Sequence, residues 1–273
     1  MTVMSNIVVS GLNVYPVKSC RGIALQTAEL DARGICFDRQ WMVVDDEGKF
    51  ITQRTHSRLA LVETALSDAQ LHLKFPDTSA LAFSLEAQPG PTLTVEVWGS
   101  YCQAIDQGKM AAEAFSDLLA QNCRLVRMAP EWVRPVNPKY APAGSQVGFA
   151  DGYPLLVVSE ASLADLNSRL AASLPMERFR PNLVLSGTAP YAEDSWHQIR
   201  IGEVALQAAK PCVRCKITTI EQHTAVEQGP EPLRTLMSYR RIEGGPIFGQ
   251  NYVHLDPGRI DVGDPVVPLA ARV

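Results

Sequence analysis

Arg39-Gln40-Trp41-Met42-Val43-Val44, Asp45-Asp46-Glu47-Gly48 and Lys49-Phe50-Ile51-Thr52 follow one another without a break, and their order reads as strand, turn and strand. β-Branched and aromatic residues fill the two arms, and the acidic run closing on Gly48 supplies the turn. The same pattern extends outward on both sides. Upstream, Ile7 to Val14 is apolar and β-rich until Pro16 stops it. Downstream, Leu71-His72-Leu73-Lys74-Phe75 and Leu93-Thr94-Val95-Glu96-Val97-Trp98 alternate with period two, as half-buried strands do.

A helix interrupts the series where Ala111, Ala114, Phe115, Leu118 and Leu119 fall at helical spacing. The stretch from Ala129 to Pro154 carries Pro130, Pro135, Pro138, Pro142, Gly144, Gly148 and Gly152, too many breakers for a regular element. Loops longer than about 12–15 residues are usually functional or linking. This one is expected to separate a β-rich first domain, residues 5–128, from a second domain, residues 129–270, and to rim a cleft. Beyond it Leu155-Leu156-Val157-Val158 reads as a buried strand, and Ser159 or Ser162 caps a helix bearing Leu163, Leu166 and Leu170. Strands are expected at Asn182–Leu185, Ile199–Ile201, Val204–Gln207, Ile217–Ile220 and Tyr252–Leu255, with a short helix around Leu233, Leu236, Met237 and Arg240. Many short strands and few helices predict an α+β fold, mostly β and barrel-like.

Charge excludes one class of function. The chain of 273 residues is 46% hydrophobic and 20% charged, with a net charge of -4 and a pI near 5.8, so it lacks the basic footprint of a nucleic-acid binder. No run approaches the ~18 apolar residues of a membrane span. Met1-Thr2-Val3-Met4-Ser5-Asn6 has neither the basic nor the apolar part of a signal peptide. Six cysteines (Cys20, Cys36, Cys102, Cys123, Cys212, Cys215) are therefore expected as reduced thiols in a cytoplasmic setting, available to metals.

The sharpest local chemistry is Lys210-Pro211-Cys212-Val213-Arg214-Cys215-Lys216. Three cations beside a thiol favour the thiolate, the soft ligand that transition metals select. The pair also suits half of a structural zinc site, a redox dithiol or two idle buried cysteines, and spacing alone leaves these open. Further cations stand at strand ends. Lys18-Ser19 follows the strand that Pro16 stops, Arg39 opens the hairpin, and Arg180-Pro181-Asn182 precedes another strand. Such groups suit a phosphate or other anion. No phosphate-cradling Gly-rich motif is present, and no site for NAD(P)H can be identified.

At this point the chain resembles a known family. Tyr15-Pro16-Val17-Lys18-Ser19-Cys20, Asp38-Arg39-Gln40-Trp41, Ser159-Glu160-Ala161-Ser162-Leu163-Ala164-Asp165-Leu166-Asn167 and Phe179-Arg180-Pro181-Asn182 are similar to the MOSC proteins. So are Tyr191-Ala192-Glu193-Asp194-Ser195-Trp196, Cys212-Val213-Arg214-Cys215, Phe248-Gly249-Gln250-Asn251 and Val262-Gly263-Asp264-Pro265. These are domains of the molybdenum-cofactor sulfurase C-terminal type with a β-rich N-terminal companion. The resemblance covers nearly the whole chain and is strongest to the amidoxime-reducing components of mitochondria and their bacterial counterparts.

The resemblance implies a molybdenum–molybdopterin cofactor, and chemistry independent of pyridoxal phosphate. Cys215 matches the metal-ligating, catalytic cysteine, and Lys18, Ser19, Arg39, Arg180, Asn182, Arg214 and Asn251 match positions around the pterin and its phosphate. The implied reaction is reduction of small N-hydroxylated compounds by cleavage of the N–O bond. Val213, Asn251 and Gly152 stand where animal relatives carry serine, tyrosine and threonine, which leaves the substrate pocket free to differ. The chain reaches Ala270-Ala271-Arg272-Val273 without the cysteine run of a plant-type ferredoxin domain, and without the membrane anchor of the mitochondrial members. Electrons are therefore expected from an external partner, a reductase or a small haem or flavin protein, with no role for nucleic acid or membrane. Two rivals share the same motifs: a cofactor carrier without turnover, and a sulfur-transfer protein working through a persulfide on Cys212 or Cys215.

Overall fold

A computed structural model describes residues 7–76 and 80–271. The leader-free reading of residues 1–6, the expected start of the first domain at residue 5 and the last two residues of the closing run lie outside the described residues. The protein is α+β and mostly β, built from curled sheets with only three α-helices among the described residues.

The largest sheet has nine strands. Its order is Val266–Ala271, Trp196–Ile201, Val204–Val213, Gly245–His254, Leu155–Ser159, Leu183–Ser186, Val8–Val14 and Ile23–Leu25, with Arg241–Ile242 added beside Gly245–His254. The N-terminal strand Val8–Val14 is thus an inner strand of a sheet otherwise made mostly by the second half of the chain. The pair Leu155–Ser159 and Leu183–Ser186 is parallel, with the helix Glu160–Ser168 in the connection, and every other pair in this sheet is antiparallel. Ser159 caps that helix: its hydroxyl accepts from the Ser162 amide at 3.1 Å. One face of the sheet buries Val9, Leu12, Leu183, Leu185, Ile199 and Leu206 against the small sheet of Gly258–Asp261, Thr27–Asp31 and Gly34–Ile35.

A second sheet orders Trp41–Asp45, Cys123–Met128, Ser100–Asp106 and Thr92–Val97, and a third joins Glu63–Ser67, Gln70–Lys74 and Leu81–Ser84. The helix Lys109–Leu119 packs Ala111, Phe115, Leu118 and Leu119 over a core with Trp41, Val43, Leu71 and Leu73. The expected hairpin at 39–52 is half realised. Its turn closes, with Asp45 donating to the Lys49 carbonyl at 2.9 Å and Ile51 to Val43 at 2.8 Å. The arm Lys49–Thr52, however, makes only isolated bridges, because Trp41–Asp45 takes Cys123–Met128 as its ladder partner.

Two further expectations are corrected. Val204–Gln207 continues as one strand to Val213, so Cys212 lies within a strand. Pro211 is tolerated there because the register slips between Ala208 and Lys210 and again between Pro211 and Val213. Ile217–Ile220 is not a strand: Lys216–Thr219 forms a 3-10 turn that begins directly after Cys215. Among the described residues no helix is long and apolar enough to cross a membrane.

Candidate functional site

A cavity of about 740 Å³ is lined from both halves of the chain. Lys18, Ser19, Arg39, Arg180, Asn182, Arg214, Cys215 and Asn251, drawn from five separate stretches of sequence, all line it. The Pro- and Gly-rich loop forms one wall through Arg134 to Pro138 and Ala150 to Tyr153. Backbone geometry is unusual here. Ser19, Arg39, Trp98 and Arg180 have φ of 71°, 45°, 51° and 55°, which makes four left-handed non-glycine residues on one cavity. Such conformations cluster where surrounding structure over-determines them for function.

Arg39 anchors the floor. Its guanidinium Nη1 donates to Asp38 Oδ2 at 2.6 Å and to Asn182 Oδ1 at 3.1 Å, and its plane lies 4.2 Å from the centre of the Tyr15 ring. Arg180 lies over the same ring at 4.3 Å. Burial pulls Arg180 down to about 10, opposed by Tyr15, and pushes the Tyr15 phenol up to about 12, opposed by Arg180 and Arg39. Arg180 therefore stays charged at neutral pH. Asn182 is fully engaged: its amide nitrogen donates to Asn13 O and Asp38 Oδ1, and its oxygen accepts from Arg39 and from the Leu156 amide. It positions Arg39 and has no donor left for a ligand. Gly148 lets the loop reach this floor, since a Cβ there would stand 2.8 Å from the Arg39 carbonyl, which accepts from the Phe149 amide at 2.7 Å.

The cysteine pair is divided in its surroundings. Arg214 turns to Cys212, with Nη1 3.0 Å from the sulfur, and donates through Nη2 to the Phe179 carbonyl at 2.7 Å. Its buried Nε has no hydrogen-bond partner among the described residues. Lys216 pairs with Glu227 at 2.7 Å, and Lys210 lies over Tyr140 and Tyr153 at 5.3 and 5.7 Å. Arg54, from the first half of the chain, interacts with Cys215 through charge and hydrogen bonding.

Arg54, Asp151 and Trp98 were not picked out by sequence reasoning. Asp151 joins Lys18 Nζ at 2.5 Å, Arg54 Nη2 at 2.9 Å and Trp98 Nε1 at 3.0 Å. Burial disfavours the Asp151 carboxylate, yet Lys18 and Arg54 overcome this and hold it well below the usual carboxylate range. Burial pulls Lys18 down to about 8 against the pull of Asp151. Lys18 is thus committed to Asp151 and the Phe149 carbonyl at 2.7 Å. The Cys20 thiol, in the same motif, is a core group: burial pushes it up to about 12. Asn251 donates to the Lys210 carbonyl at 3.2 Å.

Seven cations (Lys18, Arg39, Arg54, Arg134, Arg180, Lys210, Arg214) and one carboxylate (Asp151) line the cavity of a chain whose net charge is -4. With the orphaned Arg214 Nε, this donor set fits a large anion, and the thiol of Cys215 at the same wall offers a soft metal ligand. A zinc site on the cysteine pair finds no support. Among the described residues the one group of three metal-capable side chains within mutual reach is Glu177, Glu221 and His223, which includes neither cysteine.

Residues 6–122 match the MOSC N-terminal beta barrel domain and residues 144–267 the MOSC domain. The chain is 40% identical over 279 residues to mitochondrial amidoxime-reducing component 1 of Mus musculus, covering 96% of this chain and 82% of that protein. It belongs to the MOSC-domain family. The corresponding Homo sapiens protein is 38% identical with the same coverages, and mitochondrial amidoxime reducing component 2 of Bos taurus is 34% identical over 96% of this chain and 83% of that one. Membership supports a molybdenum-cofactor-related role. It also corrects the cytoplasmic expectation, because these relatives are named as mitochondrial components.

Proposed function

We propose that this protein is a molybdenum-cofactor-dependent oxidoreductase that reduces small N-hydroxylated compounds with electrons from an external protein. The observation that carries the reading is the concentration of seven cations and the thiols of Cys212 and Cys215 on a single cavity in an otherwise acidic chain. Relatives bearing the name amidoxime-reducing component, at 33–40% identity, point to the substrate class.

When bound, the molybdenum–molybdopterin supplies a two-electron redox centre able to accept the oxygen of an N–O bond. Cys215 would hold the metal through its thiolate. Arg39, Arg180 and Arg214 would bind the pterin and its phosphate, with Ser19 and Asn251 beside them and Asn182 fixing Arg39. Lys18 acts through Asp151, which together with Arg54 and Trp98 shapes the wall beside Cys215. Cleavage of the N–O bond consumes two electrons and two protons and releases water. In this reading the chain works as two parts, 5–128 and 129–270, whose cationic loops meet at the cavity.

The test uses purified, molybdenum-loaded protein with benzamidoxime. The rate with NADH alone should be negligible, since no nucleotide site is identifiable, and the rate with reduced viologen dye should be clear. A docking donor protein would use a small redox interface, below roughly 1,200 Å². Failure of the dye-driven reaction across several N-hydroxylated substrates would favour a cofactor carrier instead.

A further inference from the structure

The strands Thr92–Val97 and Ser100–Asp106 are joined by two residues, Trp98 and Gly99, with φ of 51° and 75°. A two-residue turn with both φ positive favours Asn-Gly or Gly-Gly, and a bulky aromatic in the left-handed region is an outlier. The turn alone therefore does not account for an indole. Trp98 is also 49% exposed, which burial does not account for either.

The ring is nevertheless fixed. Its Nε1 donates to Asp151 Oδ1 at 3.0 Å, the Arg54 guanidinium lies 4.7 Å from its centre, and Phe50 packs at 5.0 Å with a 54° tilt. Arg54 in turn interacts with Cys215, and Trp98 and Cys215 line the same cavity. An exposed, immobilised aromatic surface loses little conformational freedom when a second flat group stacks on it.

We propose that Trp98 is the stacking platform for substrate, so that the site favours planar, conjugated N-hydroxylated compounds over aliphatic ones. This rests on the reductase reading and adds to it a residue that sets selectivity. Removing the ring lowers affinity for the conjugated partner while the N–O chemistry at the far end of the molecule is shared by both substrate types.

The experiment compares molybdenum-loaded wild type, Trp98→Ala and Trp98→Phe in two arms. The first is dye-driven reduction of benzamidoxime and of acetamidoxime. The second is calorimetric binding of benzamidine and of acetamidine, which needs no turnover. In Trp98→Ala, the loss in KM for benzamidoxime and in Kd for benzamidine should exceed that for the aliphatic partner by about two- to tenfold. Trp98→Phe should recover most of the difference. Equal losses for both partners would overturn the proposal and reduce Trp98 to a prop for Arg54, and no loss for either would overturn it as well. If no protein reduces either amidoxime, the reductase reading fails, while a selective loss of benzamidine binding would still support the platform.

Discussion

Arg39 and Asn182 lie 143 residues apart in the chain and meet in one hydrogen bond, 3.1 Å from the guanidinium Nη1 to the carboxamide Oδ1. The bond ties the loop between Gly34–Ile35 and Trp41–Asp45 to the loop before Leu183–Ser186, and it aims one of the cavity's cations. Asn182→Ala should destabilise the fold by about 1–3 kcal/mol, because the buried Leu156 amide and Asp38 each lose a partner. Cofactor content should fall with it, since Arg39 is no longer fixed. Urea unfolding and pterin content of the same preparations check both.

Arg180 stands differently. Its guanidinium rests on Tyr15, so Arg180→Ala orphans no hydrogen-bonded carboxylate among the described residues. The variant should stay folded and bind cofactor about ten- to hundred-fold more weakly, the effect of losing ~1.5–3 kcal/mol from one charge-assisted contact. Full cofactor occupancy would mean that Arg180 is a structural cation.

Arg39→Ala should be the costlier change. Asp38 is buried and takes its shortest contact, 2.6 Å, from Arg39, so the variant leaves a carboxylate without its cation. Breaking such a pair from one side costs about 3–5 kcal/mol. The double variant Asp38→Asn, Arg39→Met should recover much of the stability in thermal unfolding, without recovering cofactor.

Glu193 gives a pH prediction. It is fully buried; Oε1 accepts from the Ser162 hydroxyl at 2.7 Å and the Ser159 amide at 3.2 Å, while Oε2 has no partner among the described residues. Burial pushes its carboxyl above the ordinary 4.5, against the pull of Ser162. Between 4.5 and that raised value the folded chain holds a proton that the unfolded chain releases, so stability falls as pH rises through the window. Glu193→Gln should remove this slope. Its melting temperature relative to wild type should be higher at pH 8 than at pH 4.5, and a constant difference would contradict the assignment.

Much of the fold was legible because period-two alternation and turn residues are local signals. Val8–Val14, Gln70–Lys74, Thr92–Val97, Leu155–Ser159 and the Ser159 cap follow directly from them. Partner choice was not legible: that Trp41–Asp45 pairs with Cys123–Met128 is a long-range packing outcome. In the site, cations at strand ends marked Lys18, Arg39 and Arg180 as anion binders, and all three line the cavity. The basic flank of Cys215 misled in detail, since Lys216 pairs with Glu227 and Arg214 faces Cys212. Arg54, Asp151 and Trp98 carry no motif of their own, and only the folded chain brings them together.

The account stands most directly on the metal content of three proteins made in a host with an intact molybdenum-cofactor pathway: wild type, Cys212→Ala and Cys215→Ala. Elemental analysis should find molybdenum in wild type, most of it retained in Cys212→Ala, and almost none in Cys215→Ala, because the other sulfur on the cavity wall, that of Cys212, is held by Arg214 Nη1 at 3.0 Å. Equal loss in both variants, or zinc where molybdenum is expected, would contradict it.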